Sequence, residues 1–421
     1  MQSSIKLRLT VMNFLQFAVW GAYLTSMGRY LGTAGFGSEI GNFYAMQGLV
    51  SLFMPALMGI VADRWIPAQR LLGVCHTLAG MLMLGVFLYT QTDAPSYPSL
   101  FALYSLSVAF YMPTLALSNS VAYTSLDQAG LDLVKSFPPI RVFGTVGFIC
   151  TMITVSLLGL EATSGQFAVS AIISLVLAVY AQTLPNCPTA PKGQSKSLVE
   201  ALGLRAFVLF KQRKMALFFI FSMLLGVSLQ ITNGFANPFI STFGEIPAYA
   251  DTFGVKYANI LISLSQLSET LCILLIPFAL RRFGIRRVML IAMVAWVLRF
   301  ALLGLGNPGS GVWLFLLSMI VYGVAFDFFN VSGSLFVDKE TDPSIRSSAQ
   351  GLFMIMTNGI GATLGSLGAQ AVVNHFVHTE HDTMAILAGW SISWYIFAGY
   401  AAVVAALFAV LFRYNTATEA K

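Results

Sequence analysis

The sequence has few charged residues. Only 10% of its 421 residues are Asp, Glu, Lys or Arg, whereas soluble globular proteins contain about 25%. Hydrophobic residues make up 57% of the chain, and its mean hydropathy is +0.78. This composition excludes a water-soluble surface and indicates a protein embedded in a membrane.

Several motifs with known chemistry are also missing. The sequence contains no Gly-rich Walker loop, so nothing indicates that ATP drives its activity, and it has neither an HExxH motif nor a catalytic-triad signature. Its four cysteines share no CxxC spacing, which argues against disulfides and zinc ligands. The sequence also lacks a sizeable extramembrane domain, which argues against a receptor. We therefore expect no enzyme, no metal and no cofactor.

Long apolar runs recur along almost the whole chain, and a spanning helix needs about 20 mostly apolar residues. The first run is too long for the core of a signal peptide. These runs predict an all-α integral membrane protein with twelve transmembrane helices. The predicted spans are 9–31, 40–61, 71–91, 99–125, 137–160, 165–184, 215–243, 256–280, 286–304, 312–337, 346–374 and 392–413.

The distribution of Lys and Arg predicts the orientation of these spans. With twelve spans both termini share a side, and that side holds 19 of the 23 basic residues. The opposite loops hold only Arg29 and Lys256, while Arg141 and Arg299 fall within spans. By the positive-inside rule both termini are cytoplasmic. The net charge of +6 is therefore a topology signal, and we expect no nucleic-acid partner.

The chain divides near its middle. The longest polar stretch, residues 185–214, separates a predicted six-helix bundle, 1–184, from a second one, 215–421. Within this cytoplasmic linker, residues 197–212 read as an amphipathic helix on the membrane surface. Its apolar residues are Leu198, Ala201, Leu202, Leu204 and Phe207, and its charged residues are Glu200, Arg205 and Lys211.

Short matches between corresponding spans indicate that the two bundles are pseudo-symmetric repeats. They pair PPIR (138–141) with PSIR (343–346), VAF (108–110) with VAF (324–326), and LQ (15–16) with LQ (229–230). Repeated halves are a common plan for secondary transporters, in which the substrate site lies near the membrane midplane at the repeat interface. The sequence thus predicts transport by alternating access.

Longer motifs carry a family resemblance. Gly59, Asp63, Arg64 and Arg70 form a loop that resembles the GxxxDR…R signature of the major facilitator superfamily. The chain also resembles the bacterial nucleoside:proton symporters over nearly its whole length. The most specific stretches are FPPIRVFGTVGF (137–148), FFIFSMLLGVSLQITN (218–233), SMIVYGVAFDFFNVSGS (318–334) and SIRSSAQG (344–351).

This resemblance implies the major facilitator fold and the import of nucleosides together with protons. It also implies a bacterial inner membrane, contact with lipid and a monomeric protein. In the superfamily, residues at the positions of Gly59, Asp63 and Arg70 act as a conformational latch. The alternative is a facilitator-superfamily transporter of another polar solute, such as a sugar.

Charged side chains within the spans are expensive, at about 2.5–3.5 kcal/mol or more each at the bilayer centre, and usually mark function. Only two acids lie there, Glu269 and Asp327. Asp327 lies among phenylalanines, a setting that suits a carboxylate that binds and releases a proton. It is otherwise a structural acid that pairs with Arg141 or caps a helix break. Tyr322 and Phe326, four residues apart, share a helix face that suits an aromatic base.

Gln266 and Glu269 are three residues apart and point the same way. A carboxylate accepts the two hydroxyls of a ribose diol, whereas a Gln amide pairs with a base edge. Interhelical polar packing is the alternative. Nearby Gln266, Ser265 and Ser268 are expected to help keep Glu269 ionised.

Polar residues also interrupt the predicted seventh span, where Gln230 and Asn233 are again three apart. Broken helices of this kind often mark transporter sites, although a simple proline kink at Pro238 is the alternative. In the fifth span Arg141, Thr145 and Phe148 form one stripe, which either faces the cavity or leaves Arg141 facing the cytoplasm.

The resemblance implies a substrate site, whose residues match the family at every position. These residues are Arg141, Thr145, Phe148, Gln230, Asn233, Gln266, Glu269, Tyr322, Phe326 and Asp327. Asp327 is the better candidate for proton coupling, with Glu269 as the other. Arg29 either shapes the entrance or lies in solvent, and Arg299 is not assigned to the site.

Overall fold

We describe the fold from a computed structural model, which covers residues 2–189, 204–343 and 345–414. These residues form helices and connecting turns, and no β-strand occurs among them. Contacts group the described residues of 2–30 and 49–189 into one unit, and those of 31–48 and 204–414 into another. The second unit thus includes residues 31–48 in addition to the predicted C-terminal half.

Eight helices lead up to the described part of the linker. They are α1 (Gln2–Gly21), α2 (Met27–Thr33), α3 (Ile40–Ser51), α4 (Met54–Arg64), α5 (Ala68–Tyr89), α6 (Tyr97–Gln128), α7 (Leu133–Leu157) and α8 (Gly165–Ala181).

In the last part of the linker, a 3₁₀ helix at Leu204–Lys211 precedes the remaining helices. They are α9 (Arg213–Leu229), α10 (Ile231–Thr242), α11 (Pro247–Ala250), α12 (Phe253–Lys256), α13 (Ala258–Leu305), α14 (Val312–Glu340), α15 (Arg346–Met354), α16 (Ala362–Phe376) and α17 (Thr383–Leu411), with a π-helix at Ile355–Gly361 between α15 and α16.

Nine helical segments of the described residues are long and apolar enough to cross a membrane. One of them, α13, has 48 residues and holds both the eighth and ninth predicted spans. It changes direction at Gly284, whose φ of 75° lies in the left-handed region that favours glycine. The nine segments thus account for ten of the twelve predicted spans. The other two are the first span, which corresponds to α1 and α2, and the sixth, which corresponds to the shorter helix α8. Every predicted span therefore coincides with helical structure.

Two predicted spans, the first and the twelfth, differ in their course or their start from the sequence prediction. The first span is broken by a turn at residues 22–26 between α1 and α2. The twelfth span begins at Thr383 instead of 392, because the Asp382 carboxylate accepts the backbone amides of Met384 and Ala385 and caps α17.

The predicted amphipathic helix at 197–212 differs as well. Its first part, 197–203, lies outside the described residues, and the rest is a 3₁₀ helix, not an α-helix. Ala206 and Leu209 are buried there, whereas Phe207 is 46% exposed. The apolar face is therefore only partly covered by the protein.

Close packing of α1 against α7 positions part of the predicted site. A side chain at Gly21 would collide with the backbone of Phe148, so glycine is required for this approach. Trp20, the residue before it, then meets the Phe148 ring edge to face, with ring centroids 6.4 Å apart. Small residues thus allow close helix packing that fixes a predicted site residue.

Candidate functional site

The helix of the seventh span is interrupted at Gln230, as the polar residues there predict. This residue lies between α9 and α10, and its side-chain Oε1 accepts a hydrogen bond from Asn233 Nδ2 at 2.7 Å. Both side chains are half-buried. Pro238 lies inside α10 without ending it, so the break belongs to Gln230 and is not a proline kink. The paired amides keep donors and acceptors for a ligand.

Two aromatic rings on α14 form a stacked pair. The centroids of Tyr322 and Phe326 are 5.6 Å apart, and their planes are inclined by 17°. Tyr322 is 6% exposed, and Trp296 meets its ring edge to face at 5.9 Å. Phe326 is less buried than Tyr322. The pair is thus anchored in the protein at Tyr322 and accessible at Phe326.

The two acids of the spans lie beside this pair. Asp327 is 4% exposed and interacts electrostatically with Glu269, which is half-buried. Asp327 Oδ2 has no hydrogen-bond partner among the described residues. Because Asp327 lies within the continuous helix α14, it does not cap a break. Tyr322 interacts with both acids, and its hydroxyl lies close to the Gln266 side chain. One cluster therefore combines rings, carboxylates and an amide.

The expectation that Ser265 and Ser268 help keep Glu269 ionised is wrong in this structure. The Ser265 hydroxyl donates to Met319 Sδ at 3.0 Å, and the Ser268 hydroxyl donates to the Ile320 carbonyl. A serine hydroxyl has one hydrogen to donate. Both donors are therefore used to join α13 to α14.

Three predicted site residues lie on α7 in the first unit. The Arg141 guanidinium lies over the Phe17 ring, 4.0 Å from its centroid, and it is half-buried. It is two turns into α7, which begins at Leu133. Thr145 is half-buried and Phe148 is 6% exposed. Arg141 is thus held against an aromatic ring and does not extend freely into solvent.

The predicted latch residues flank the turn between α4 and α5. Asp63 is half-buried in the last turn of α4, and Arg70 is exposed in the first turn of α5. Neither side chain forms an ion pair or hydrogen bond with another described residue. A methyl group at Gly59 would meet no atom within 4 Å. The predicted latch contacts are therefore not formed among the described residues of this structure.

The contacts of two arginines, Arg29 and Arg299, were not predicted from the sequence. Arg29 does not lie in solvent: its Nη1 is 3.3 Å from the buried Glu161 carboxylate, which also accepts a hydrogen bond from Ser156. Arg299, left unassigned, is 2% exposed and contacts Tyr322 of the aromatic pair. The stripe of Trp296 and Arg299, three apart on α13, was the available sequence signal.

A surface groove of the second unit is separate from these residues. It has a volume of about 650 Å³ and is lined by Phe283, Arg287, Leu290, Ile291, Val294, Ala295, Leu298, Val321 and Val324. No predicted site residue lines it. Apart from Arg287 its lining is apolar, so it lacks the donors and acceptors that a polar solute needs.

Comparison with known proteins identifies the family. The family described as "Nucleoside H+ symporter" matches residues 3–417. The chain is 49% identical to the xanthosine permease and 47% identical to the nucleoside permease NupG, both of Escherichia coli strain K12, and each match covers 98% of this chain and 97% of the relative. A crystal structure of the nucleoside transporter NupG superimposes with a TM-score of 0.88 at 46% identity, covering 98% of this chain and all of that one. This chain belongs to the nucleoside:proton symporter family.

Proposed function

We propose that this chain imports nucleosides together with protons by alternating access, and that the base stacks on Phe326. One observation carries the proposal: the Tyr322–Phe326 pair lies beside Glu269 and Asp327 in one cluster. An aromatic platform suits a nucleobase, since every base has a π-face. Carboxylates suit the hydroxyls of a sugar and the carriage of a proton.

Glu269 is the proposed ribose ligand. Its carboxylate is half-buried and interacts with Tyr322 and Asp327. Two carboxylate oxygens accept the two hydroxyls of a ribose 2′,3′-diol. Gln266, one helical turn earlier, interacts with the Tyr322 hydroxyl and retains amide groups for the ligand.

Gln230 and Asn233 are the proposed partners of the base edge. One Gln230 Oε1···Asn233 Nδ2 bond holds the amides together, which leaves the remaining donors and acceptors for the substrate. From the family resemblance, Arg141, Thr145 and Phe148 on α7 also bind the substrate. Arg141 supplies donors there, and Phe148 supplies a second ring.

Asp327 is the proposed proton carrier. Two carboxylates that interact in a poorly hydrated region cannot both be ionised cheaply, so one of them holds a proton more readily. Asp327 is the more deeply buried of the two, and its Oδ2 lacks a hydrogen-bond partner among the described residues. A neutral nucleoside carries no charge, so its accumulation needs an ion. Protons supply about 2.3 kcal/mol per 100 mV and about 1.36 kcal/mol per pH unit.

The remaining assignments follow from sequence patterns. The basic loops favour cytoplasmic termini, and the family resemblance favours a bacterial inner membrane. We take the working protein to be a monomer. Asp63, Arg70 and Gly59 act as a latch at that side of the membrane. The sugar-transporter alternative has no observation in its favour, whereas the family match favours nucleosides.

The test is uptake of radiolabelled uridine into proteoliposomes that carry an imposed proton gradient. We expect accumulation above the external concentration, competition by unlabelled nucleosides and none by glucose. A protonophore should abolish accumulation and leave exchange. Competition by glucose, or accumulation that survives the protonophore, would contradict the proposal.

A further inference from the structure

The second unit holds a buried arginine that lies next to the proposed site. Arg299, in the second half of α13, is 2% exposed, and no ion pair involves it in the part of the chain that the structure describes. Its Nη1 donates to the Ser318 carbonyl at 2.8 Å and to Ser265 Oγ at 3.3 Å. These bonds tie the guanidinium to both α13 and α14.

The same guanidinium lies over an aromatic ring of the site. Its central carbon is 4.5 Å from the centroid of Tyr322, within the range of a cation–π interaction. Such contacts strengthen where water is excluded, as it is here. Tyr322 is also contacted by Trp296 and stacked on Phe326. Arg299 thus touches the ring that supports the proposed base platform.

A purely structural role explains this arrangement poorly. A buried charge is costly, and apolar residues of similar volume often replace buried ionic groups without loss of stability. Arg299 nevertheless has no carboxylate partner among the described residues, and its Nε has no hydrogen-bond partner there. The acids Glu269 and Asp327 interact with the same Tyr322 ring. The positive charge of Arg299 therefore lies at the Tyr322 ring and forms no ion pair with another described residue.

We propose that Arg299 is a positioning residue of the nucleoside site. It acts through Tyr322: the cation–π contact fixes the orientation of that ring and, through the stack, the face of Phe326 that receives the base. The inference rests on the proposed function, because it assumes that the nucleoside stacks on this pair. It predicts that Arg299 matters for substrate affinity only while the Tyr322 ring is present.

A double-mutant cycle on purified protein tests this, with uridine as the probe and thermal stability measured in parallel. Arg299→Met should raise the Kd of uridine by roughly 3- to 30-fold, the range expected for a desolvated cation–π contact. Arg299→Lys, which keeps the charge, should recover part of that loss. In a Tyr322→Leu background, Arg299→Met should have no further effect on Kd.

Arg286→Met is the matched control. Arg286 lies on the same helix, but its guanidinium donates to the carbonyls of Phe412 and Ala409, both at 2.6 Å, and it belongs to no proposed site. It should lower thermal stability and leave the Kd unchanged. If Arg299→Met yields no folded protein, Arg299→Lys and Arg299→Gln complete the same cycle.

Two outcomes would overturn the inference. One is an equal loss of affinity from Arg299→Met with and without the Tyr322 ring. The other is an unchanged Kd with lowered thermal stability alone, which is the result of a merely structural arginine. Failure of the proposed function looks different, because wild-type protein would then not bind uridine, or Tyr322→Leu and Phe326→Leu would both leave its Kd unchanged.

Discussion

Phe326 is stacked on Tyr322, one helical turn away on α14, with ring centroids 5.6 Å apart and planes inclined by 17°. Tyr322 is fixed by Trp296 and Arg299 from the neighbouring helix α13. Phe326 is the more accessible ring of the pair. An aromatic platform is thus supported from behind by residues that do not need to touch a ligand.

Replacement of Phe326 by alanine should weaken substrate binding. Loss of one stacked ring typically costs about 1–3 kcal/mol, so the KM for uridine should rise roughly 5- to 150-fold. The control is Phe278→Ala, which removes a ring that is 62% exposed on α13. It should leave KM unchanged. Equal KM values for Phe326→Ala and wild-type protein, at equal expression, would remove Phe326 from the site.

Replacement of Gln230 by alanine should also raise KM. The change removes the acceptor of the Asn233 hydrogen bond at the helix break, so one amide is lost and the other is released. Gln350→Ala is a suitable control, because Gln350 is bonded to Ser334 and belongs to no proposed site. The measurement is the KM for uridine uptake by both variants, with equal amounts of each protein in the membrane. A similar KM in the two variants would argue against a role for Gln230.

Asp63→Asn should slow transport and leave nucleoside affinity nearly unchanged. The Asp63 side chain has no ion pair or hydrogen bond among the described residues, so its proposed latch contacts form in another state of the cycle. Rates of uridine exchange and equilibrium Kd, measured on the same preparation, separate the two effects. A collapse of affinity with normal exchange would show that the latch assignment is wrong.

The folding stability of the protein should decrease in acid because of His378, which lies in the loop after α16. The His378 imidazole lies against Gly37, although the residue as a whole keeps contact with solvent. Partial desolvation there, only partly offset by a hydrogen bond with the Gly37 backbone, lowers the pKa of its imidazole below the ordinary value of 6.5. The unfolded chain therefore binds more protons than the folded protein as the pH falls below 6.5. The stability contribution of neutral His378 is complete above that pH and is lost as the pH falls through the lowered pKa.

Thermal unfolding of His378→Gln and wild-type protein between pH 7.5 and about pH 5 measures this contribution. The variant should lose less stability at the acid end. His381→Gln, at an exposed histidine three residues away, should follow the wild-type curve. If His378→Gln also follows the wild-type curve, His378 has no part in acid sensitivity.

Much of this fold was predictable from the sequence, because the membrane imposes long apolar runs that are easily recognised. The errors fall where local backbone chemistry decides. The cap formed by Asp382 extends α17 to Thr383, and it was recognisable as an Asp before the helix. By contrast, the eighth and ninth predicted spans are confirmed as two helical segments within α13, because the backbone of Gly284 between them is not helical, with a φ of 75°.

The candidate site was less predictable. Spacing correctly indicated that Tyr322 and Phe326, and likewise Gln230 and Asn233, would meet, since neighbours on one helix are set by its period. Contacts between helices are not set by that period. Ser265 and Ser268 therefore form hydrogen bonds with α14 and not with Glu269. Arg299 on α13 contacts Tyr322 on α14, and the sequence does not indicate how close these two helices lie.

Proton coupling through Asp327 is tested most directly by the Asp327→Asn and Glu269→Gln variants in proteoliposomes with an imposed proton gradient. Asparagine cannot exchange a proton, so Asp327→Asn should bind uridine and exchange it but fail to accumulate it. Glu269→Gln loses a ribose acceptor, and its main effect should be a raised KM. If Asp327→Asn still concentrates uridine against a gradient while Glu269→Gln does not, Asp327 is not the coupling residue and the two roles must be exchanged.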